Sequence, residues 1–373
     1  LARAGINADV VALVDEQGHT DLSTGLKVED WRVKENSTVT YSVGGLILSN
    51  SGAVTANYWL SEIYDEEIAE AHRNADIHIH DLSMLTGYCA GWSLKQLIQE
   101  GLGGISGKIT SAPAAHLSVL CNQMVNFLGI MQNEWAGAQA FSSFDTYLAP
   151  FVKVDNLTYR EVKKCIEAVI YGVNTPSRWG TQAPFSNITL DWTVPADLAE
   201  LPAIVGGKEM DFKYKDCKKE MDMVNRAFLE IMIEGDANGR GFQYPIPTYS
   251  ITRDFDWSDT ENNRLLFEMT AKYGTPYFSN YINSDMEPSD VRSMCCRLRL
   301  DLRELRKKSG GFFGSGESTG SVGVVTINMP RIAYLAKDEA DFYARLDHMM
   351  DIAARSLKIK RGVITKLLNE GLY

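Results

Sequence analysis

Apolar residues recur at helical spacing along much of the chain. In 115–140, Leu117, Leu120, Met124, Leu128 and Met131 step by 3, 4, 4 and 3, the period of one helix face. The run 45–72 reads the same way, with Leu60, Ile63, Ile68 and Ala71 on one side and acids crowding the other. Further helices are predicted over 159–173, 216–234 and about 260–273, with a final one carrying Phe342, Leu346, Met349, Ala353 and Leu357. Strands are predicted at DIHIHDL (76–82), where polar and apolar residues alternate, at FSNITLD (185–191), and at YPIPTYSIT (244–252) and PYFSNYI (276–282). SVGVVTINM (321–329) is the most strand-like run, β-branched and nearly uncharged. Helices alternating with continuous apolar strands predict an α/β fold with a mainly parallel sheet or barrel.

Composition narrows the function classes. The 373 residues carry 37 Lys+Arg against 48 Asp+Glu, a formal charge of −11, and 45% are hydrophobic. That acidic balance argues against a nucleic-acid polymer as main partner, since phosphate backbones are held by Lys/Arg clusters. It leaves a single nucleotide open. No run of 18 apolar residues occurs, so no membrane helix is predicted, and with Asp9, Asp15 and Glu16 the opening stretch is not expected to be a secretory signal. Six cysteines with no CxxC pair point to a reduced, cytoplasmic protein. Residues 1–40 are expected to be an extended lead-in and 41–373 the folded core. The chain opens on Leu1 and stops at Tyr373 directly after a helical pattern, so both ends are expected to have been cut from something longer.

Three places offer chemistry. Cys295 and Cys296 are adjacent in SMCCRLRLD, ahead of a segment (307–323) in which six of seventeen residues are glycine. They read either as small half-buried residues or as a reactive thiol on a turn, with Arg297 or Arg299 favouring the thiolate. His78 and His80 share a strand face, but two ligands fall short of the three or four a metal site needs, and no metal ligands are assigned. They read equally as substrate contacts or as backbone-bound histidines. The glycine segment lacks the Lys-Ser/Thr of a phosphate-binding P-loop, and it precedes a strand where a dinucleotide fingerprint follows one. Glu317 is the only ionisable group between Gly310 and Gly323, and would be a general acid/base if partly desolvated. Cys89 alone reads as a core cysteine; Cys121 and Cys165 read as packing, and Cys217 as surface or packing.

Six stretches together resemble one family. They are GLILSNSGAVTANYWLSEIYDEEIAEAH, DIHIHDL followed by TGYC, NTPSRWGTQAPFSN, TPYFSNYINSD, SMCCRLRLDL and GSVGVVTINMPRIAYLAK, in order across about residues 30–373. The resemblance is to the class III anaerobic ribonucleoside-triphosphate reductases, which are glycyl-radical enzymes. It implies a ten-stranded α/β barrel, here incomplete at its C-terminal end, with a finger loop carrying a cysteine into the centre. A glycyl radical in a residue beyond this chain would oxidise that cysteine to a thiyl, which removes the ribose 3′ hydrogen before water leaves the 2′ carbon.

By position, Cys296 is the expected thiyl, with Cys295 the immediate alternative, and Cys89 the second thiol on the opposite ribose face. Cys89 and Glu317 are the candidates for proton exchange at the 2′ carbon. The expected substrate-binding residues are His78, His80, Thr110, Ser111, Gln182, Ser321 and Asn328. The resemblance also implies zinc in the region beyond this chain, the nucleotide effectors dATP, dTTP and ATP, a radical-SAM activating enzyme, and a homodimer through the helix near 53–72, where Tyr58, Trp59 and Tyr64 are large for an exposed face. Ser321 stands where the formate-using branch carries Asn, which leaves formate and a thioredoxin- or glutaredoxin-like protein both open as reductant. A glycyl-radical lyase relative and an inactive nucleotide-binding subunit are the alternatives. The HIHD and GVVTIN stretches speak against the first, the retained Cys89 and Cys296 against the second.

Overall fold

The computed structural model describes residues 20–21, 26–27, 43–103, 110–175, 183–284 and 319–372. Its strands are β1 (Thr20–Asp21), β2 (Leu26–Lys27), β3 (Ile77–Ile79), β4 (Cys89–Trp92), β5 (Gln139–Phe141), β6 (Ser186–Leu190), β7 (Pro202–Val205), β8 (Lys208–Lys213), β9 (Ile246–Ile251), β10 (Tyr277–Asn280), β11 (Thr319–Ser321) and β12 (Val325–Ile327). Its α-helices are α1 (Val43–Tyr58), α2 (Glu66–Arg73), α3 (Leu94–Glu100), α4 (Leu117–Met131), α5 (Phe144–Val154), α6 (Tyr159–Asn174), α7 (Ala196–Ala199), α8 (Lys218–Glu234), α9 (Glu261–Tyr273), α10 (Met329–Leu335) and α11 (Glu339–Asn369). None is long and apolar enough to cross a membrane among the described residues.

The main sheet has six strands in the order β10-β9-β6-β5-β4-β11. Strands β4, β5, β6, β9 and β10 are parallel neighbours in chain order, as repeated strand–helix–strand crossovers require, and β11 joins β4 antiparallel. The α/β expectation holds. β3 pairs β12 and β7 pairs β8 in separate antiparallel pairs.

Register and alternation divide the main sheet into two unlike faces. One carries Trp92, Phe141, Ile188, Leu190, Tyr249 and Ile251, packed into the large apolar core with α3–α6, α8 and α9. The second carries Cys89, Gly91, Ala140, Asn187, Thr189, Thr248, Ser250 and Ser321, small or polar side chains, with Ile246 and Tyr277 also on it. A smaller core joins Trp59, Tyr64, Ile68, Ile77, Ile79 and Leu82 with Ile352 of α11.

Two expectations are corrected here. The run 45–72 is not one helix: a π-helical turn, Trp59–Ile63, follows α1, the backbone extends at Tyr64, and Asp65 caps α2 by accepting from the Ile68 N–H at 3.0 Å. Trp59 and Tyr64 are therefore not surface aromatics; they are buried in this chain's own core, with the Trp59 indole donating to the Met84 carbonyl, and only Tyr58 is exposed. Likewise 321–329 is not one strand. It divides around Gly323 into β11, on the main sheet, and β12, on β3.

Helices α6 and α8 are joined by a charged cluster. Glu230 accepts from Arg226 (2.8 Å), the Tyr159 hydroxyl (2.7 Å) and Lys163 (2.9 Å). Burial pushes the Glu230 carboxyl up, but these donors outweigh it and hold it down at about 2. The sign follows: a carboxyl depressed in the folded state contributes stability above its ordinary pKa and loses it as the pH falls towards 2. Glu230→Gln should therefore flatten the stability–pH profile between about pH 5 and 2, removing up to about 3 kcal/mol of pH-dependent stability. Urea midpoints across that range check it; parallel profiles for the two proteins would refute it.

Candidate active site

The second face of the sheet collects the reactive groups. Cys89 opens β4 and is fully buried among Ala138, Ala140, Tyr88 and Phe185. Two glycines let backbone approach it closely. A Cβ at Gly137 would lie 2.7 Å from the Cys89 sulfur and 2.8 Å from the Tyr88 carbonyl oxygen. One at Gly320 would lie 2.3 Å from the Cys89 carbonyl oxygen, so the β11–β4 contact tolerates no side chain there.

Ser321 is in direct register with Cys89 across that contact, and its carbonyl accepts from the Tyr88 N–H at 2.9 Å. The Ser321 hydroxyl and the Asn187 amide oxygen are both buried with no hydrogen-bond partner among the described residues. Gly91, Ala140 and Asn187 share one register line, which puts Asn187 roughly 10 Å from β4 at the usual strand spacing. Buried polar atoms without partners are rare in native folds, and here they lie on the face that carries a thiol. That surface offers a thiol hydrogen, a hydroxyl and an amide oxygen to a ligand rich in hydroxyl groups.

The HIHD stretch borders this surface. His78 lies on the exposed face of β3, opposite the buried Ile77 and Ile79, and His80 stands in the turn just past the strand, with the two ring centroids 4.6 Å apart. The His80 ring lies 6.3 Å from that of Tyr88, the residue before Cys89, and its Nε2 is 2.8 Å from the Thr326 hydroxyl. Burial and the neighbouring His78 and Lys360 lower the His80 pKa. His72 stacks behind at 5.3 Å from His78, its Nδ1 accepting from the Ile79 N–H, which leaves its proton on Nε2. No group of three metal-ligating side chains converges among the described residues.

The other expected contacts lie elsewhere. Asn328 caps α10: its Oδ1 accepts from the Arg331 N–H (3.1 Å) and its Nδ2 donates to the Ala75 carbonyl (2.8 Å). The Ser111 hydroxyl is engaged by Gln123 (2.8 Å) in the connection between α3 and α4, and Thr110 is exposed beside it. Cys295, Cys296, Glu317 and Gln182 lie outside the described residues. Cys121 and Cys217 are buried and Cys165 half-buried, so Cys217 is packing, not surface.

Sequence reasoning missed two features. Asn187 had a signal, since Asn is a poor strand former and stands between Phe185 and Ile188 in FSNITLD. The other is a pocket of about 440 Å³ at the C-terminal ends of β6, β9 and β10, lined by Asp191, Ser250, Thr252, Arg253 and Tyr281 among others. Parallel α/β sheets characteristically bind ligands at those ends.

A parallel α/β sheet with a buried thiol on a polar second face, flanked by a histidine strand, defines a thiol-bearing α/β core. The chain belongs to the anaerobic ribonucleoside-triphosphate reductase family, whose model matches residues 35–373. It is similar to the anaerobic ribonucleoside-triphosphate reductases of Haemophilus influenzae and Escherichia coli, each 22% identical over 82% of this chain and 44% of the relative. The chain thus spans less than half the length of those relatives. Among solved structures it resembles the Thermotoga maritima anaerobic ribonucleotide reductase with dATP bound in the specificity site, at a TM-score of 0.66 and 21% identity, covering 98% of this chain and 59% of that one. The same enzyme in complex with dATP and CTP aligns at a TM-score of 0.62 and 21% identity, over 88% of this chain and 56% of that one.

Proposed function

We propose that this chain is catalytic core of an anaerobic reductase that converts ribonucleoside triphosphates to 2′-deoxyribonucleoside triphosphates. The observation that carries the reading is the Cys89–Ser321 register pair on a sheet face with unpartnered Asn187 and Ser321 oxygens. Such a face fits a ribose, whose hydroxyls donate and accept, better than it fits an apolar ligand. The main sheet contributes one half of a ten-stranded barrel in this reading. Nucleotide effectors and a CTP-like substrate follow from the ligands of the Thermotoga maritima relative. Homodimer formation, a radical-SAM activating enzyme, zinc in a further region and a formate or dithiol-protein reductant belong to the same proposal. The family's glycyl radical supplies the one-electron oxidation that activates a thiol.

The chain's own residues do the rest. Ser321 and Asn187 hold ribose hydroxyls by hydrogen bonds. The Cys89 thiol passes a proton to the 2′ hydroxyl as it leaves as water, and becomes a thiolate. His80, kept neutral by its surroundings, accepts or donates at the edge of the site. The packed sheet excludes water, which protects a radical from side reactions.

The test is conversion of CTP to dCTP by the complete polypeptide under anaerobic conditions with an activating enzyme, read by chromatography, with formate and with a dithiol protein in separate arms. Cys296→Ser should drop turnover below a tenth of wild type while nucleotide binding stays within a few-fold. Serine barely changes volume, but its O–H is too strong for hydrogen exchange with a ribose C–H. A variant retaining more than a tenth, a barrier change under about 1.4 kcal/mol, would remove Cys296 from the thiyl role.

A further inference from the structure

Two tryptophans stand close to Cys89, and the proposed chemistry gives them no part. Trp135 lies just before β5, and the N–H of the next residue, Ala136, donates to the Gly87 carbonyl at 3.1 Å. The Trp135 ring rests on Gly87. A Cβ there would meet three ring carbons at 2.4, 2.8 and 3.1 Å, so only glycine lets the indole come down onto the backbone. Gly87 is two residues ahead of Cys89, and Gly137, two residues after Trp135, is the glycine packed on the Cys89 sulfur. Two residues of extended chain span at most about 7 Å, which puts the Trp135 ring within roughly 11 Å of the Cys89 Cα. Trp92, three residues past Cys89, has its ring 6.0 Å from that of Trp135, edge to face.

The two indoles are held differently. The Trp92 N–H donates to the Gln139 amide oxygen at 2.6 Å, an acceptor that does not take the proton away. Trp135 is half-buried, and its N–H makes no hydrogen bond among the described residues. An indole that has lost an electron is far more acidic than a neutral one, so the ring that meets water sheds its proton and stays a neutral radical. Trp135 is therefore the end of the pair where an oxidising equivalent settles. The next rings, Phe127 and Phe141, are too hard to oxidise to carry it further. At the other end, the reductase reading leaves Cys89 a thiolate beside radical chemistry. A thiolate is the reactive form of cysteine and loses an electron more readily than a thiol.

We propose that Trp135, paired with Trp92, is a one-electron outlet for Cys89, which re-reduces a sulfur radical formed there in error and carries the oxidising equivalent out of the site. An electron passes from the indole to the sulfur radical, which returns to thiolate. The oxidised indole gives its N–H proton to water. A free thiol in solution then gives a hydrogen atom to the indolyl radical, and two such thiols end as a disulfide. The inference rests on the reductase reading only for the source of the sulfur radical.

The test runs the same path in reverse, on the complete polypeptide without nucleotide or activating enzyme. Azide radicals, made by radiolysis of an azide solution, take single electrons from accessible tryptophans. Cys89 is fully buried and out of their reach, so its oxidation reports electron transfer to Trp135. Dioxygen then traps the sulfur radical as sulfinic or sulfonic acid, which peptide mass spectrometry counts. The wild type is expected to show oxidised Cys89. Trp135→Phe should lower that yield several-fold, and Trp92→Phe should lower it by less. Trp135→Tyr, which keeps an oxidisable ring, should retain much of it. Oxidation of Trp257, 61% exposed and outside these contacts, measures the oxidant dose. Intact Cys89 in a wild type whose Trp257 is oxidised would overturn the proposal, as would an unchanged yield in a folded Trp135→Phe. Equal losses in the Phe and Tyr variants would make Trp135 a packing residue, and a loss in Tyr88→Phe without one in Trp135→Phe would move the path to Tyr88; either result overturns it. If Trp135→Phe does not fold, an unchanged yield in Trp92→Phe overturns it instead. Turnover is not read, so an enzyme that fails to reduce CTP would defeat the functional reading without touching this path.

Discussion

Replacing Cys89 with alanine in the complete enzyme should lower deoxynucleotide formation by roughly 10²-fold or more, the scale on which a positioned proton-transfer group acts. The fold should hardly notice. Cys89 is fully buried, yet its neighbours Ala138, Ala140 and the backbone at Gly137 are small, so truncation leaves a cavity of about one sulfur atom. Loss of so few buried atoms is worth on the order of 1 kcal/mol. Cys89→Ser separates the two possible roles of the sulfur. A hydroxyl can still pass a proton but cannot readily give up a hydrogen atom, so retention of activity by serine and not alanine assigns proton transfer. Stability measured by urea unfolding must accompany the rates. Wild-type turnover in a folded Cys89→Ala would leave the second face of the sheet without its chemical role.

The elements legible in the sequence are those whose burial pattern has a period. α4, α6, α8 and α9 each bury one stripe against the sheet; the boundaries of α6, α8 and α9 fall within a few residues of the positions read from spacing, whereas α4 ends at Met131, short of the expected 140, where β5 already runs. β6 and β9 were legible because they alternate, with Ile188, Leu190, Tyr249 and Ile251 turned to the core and Asn187, Thr189, Thr248 and Ser250 turned away from it. β4 and β5 were not. Their sequences, CAGW and QAF, are short and hold small residues where a strand usually shows β-branched ones. The reason is the second face: Gly91 and Ala140 keep it open around Cys89, and that removes the strand signal. α5 was hidden for a different reason. All but its last two residues are buried, so it has no polar side to set a period, and it contains Pro150.

The site was legible in part for related reasons. The histidine pair and Cys89 stood out by residue type, and the fold brings His80, Tyr88, Cys89 and Ser321 into one neighbourhood. No local pattern pairs Ser321 with Cys89, since they are separated by most of the chain and meet only through the antiparallel β11–β4 contact. Asn328 misled because an Asn after a strand and before Met-Pro is as good a helix cap as a ligand, and here the cap uses both ends of its amide.

Asp145→Ala should cost this chain several kcal/mol of stability, since each buried donor it leaves unmet costs about 1–3 kcal/mol. Asp145 is fully buried in the first turn of α5. Its Oδ1 accepts from the Asp191 N–H (2.8 Å), and its Oδ2 from the Trp192 N–H (2.9 Å) and the Asn225 amide (2.9 Å). Trp192 sits at φ 64, a left-handed conformation that a tryptophan holds only under constraint. The carboxylate supplies that constraint by capturing two successive N–H groups of the turn. The network continues outward, with Thr146 donating to Asp191 at 2.6 Å and the Tyr249 hydroxyl donating to Asn225 at 3.0 Å. It thus ties α5, the end of β6, α8 and β9 together, and Asp191 lines the pocket at the C-terminal ends of the strands. Alanine removes every acceptor at once and leaves four buried donors, the N–H groups of Thr146, Asp191 and Trp192 and the Asn225 amide, without that partner. Asp145→Asn keeps the shape but turns one acceptor into a donor facing an N–H, so it should fall between alanine and wild type. Urea unfolding followed by tryptophan fluorescence reads both effects, because Trp192 reports on the turn itself. A loss below about 1 kcal/mol for alanine, the range of an ordinary single hydrogen bond, would mean that packing and not the carboxylate holds this turn.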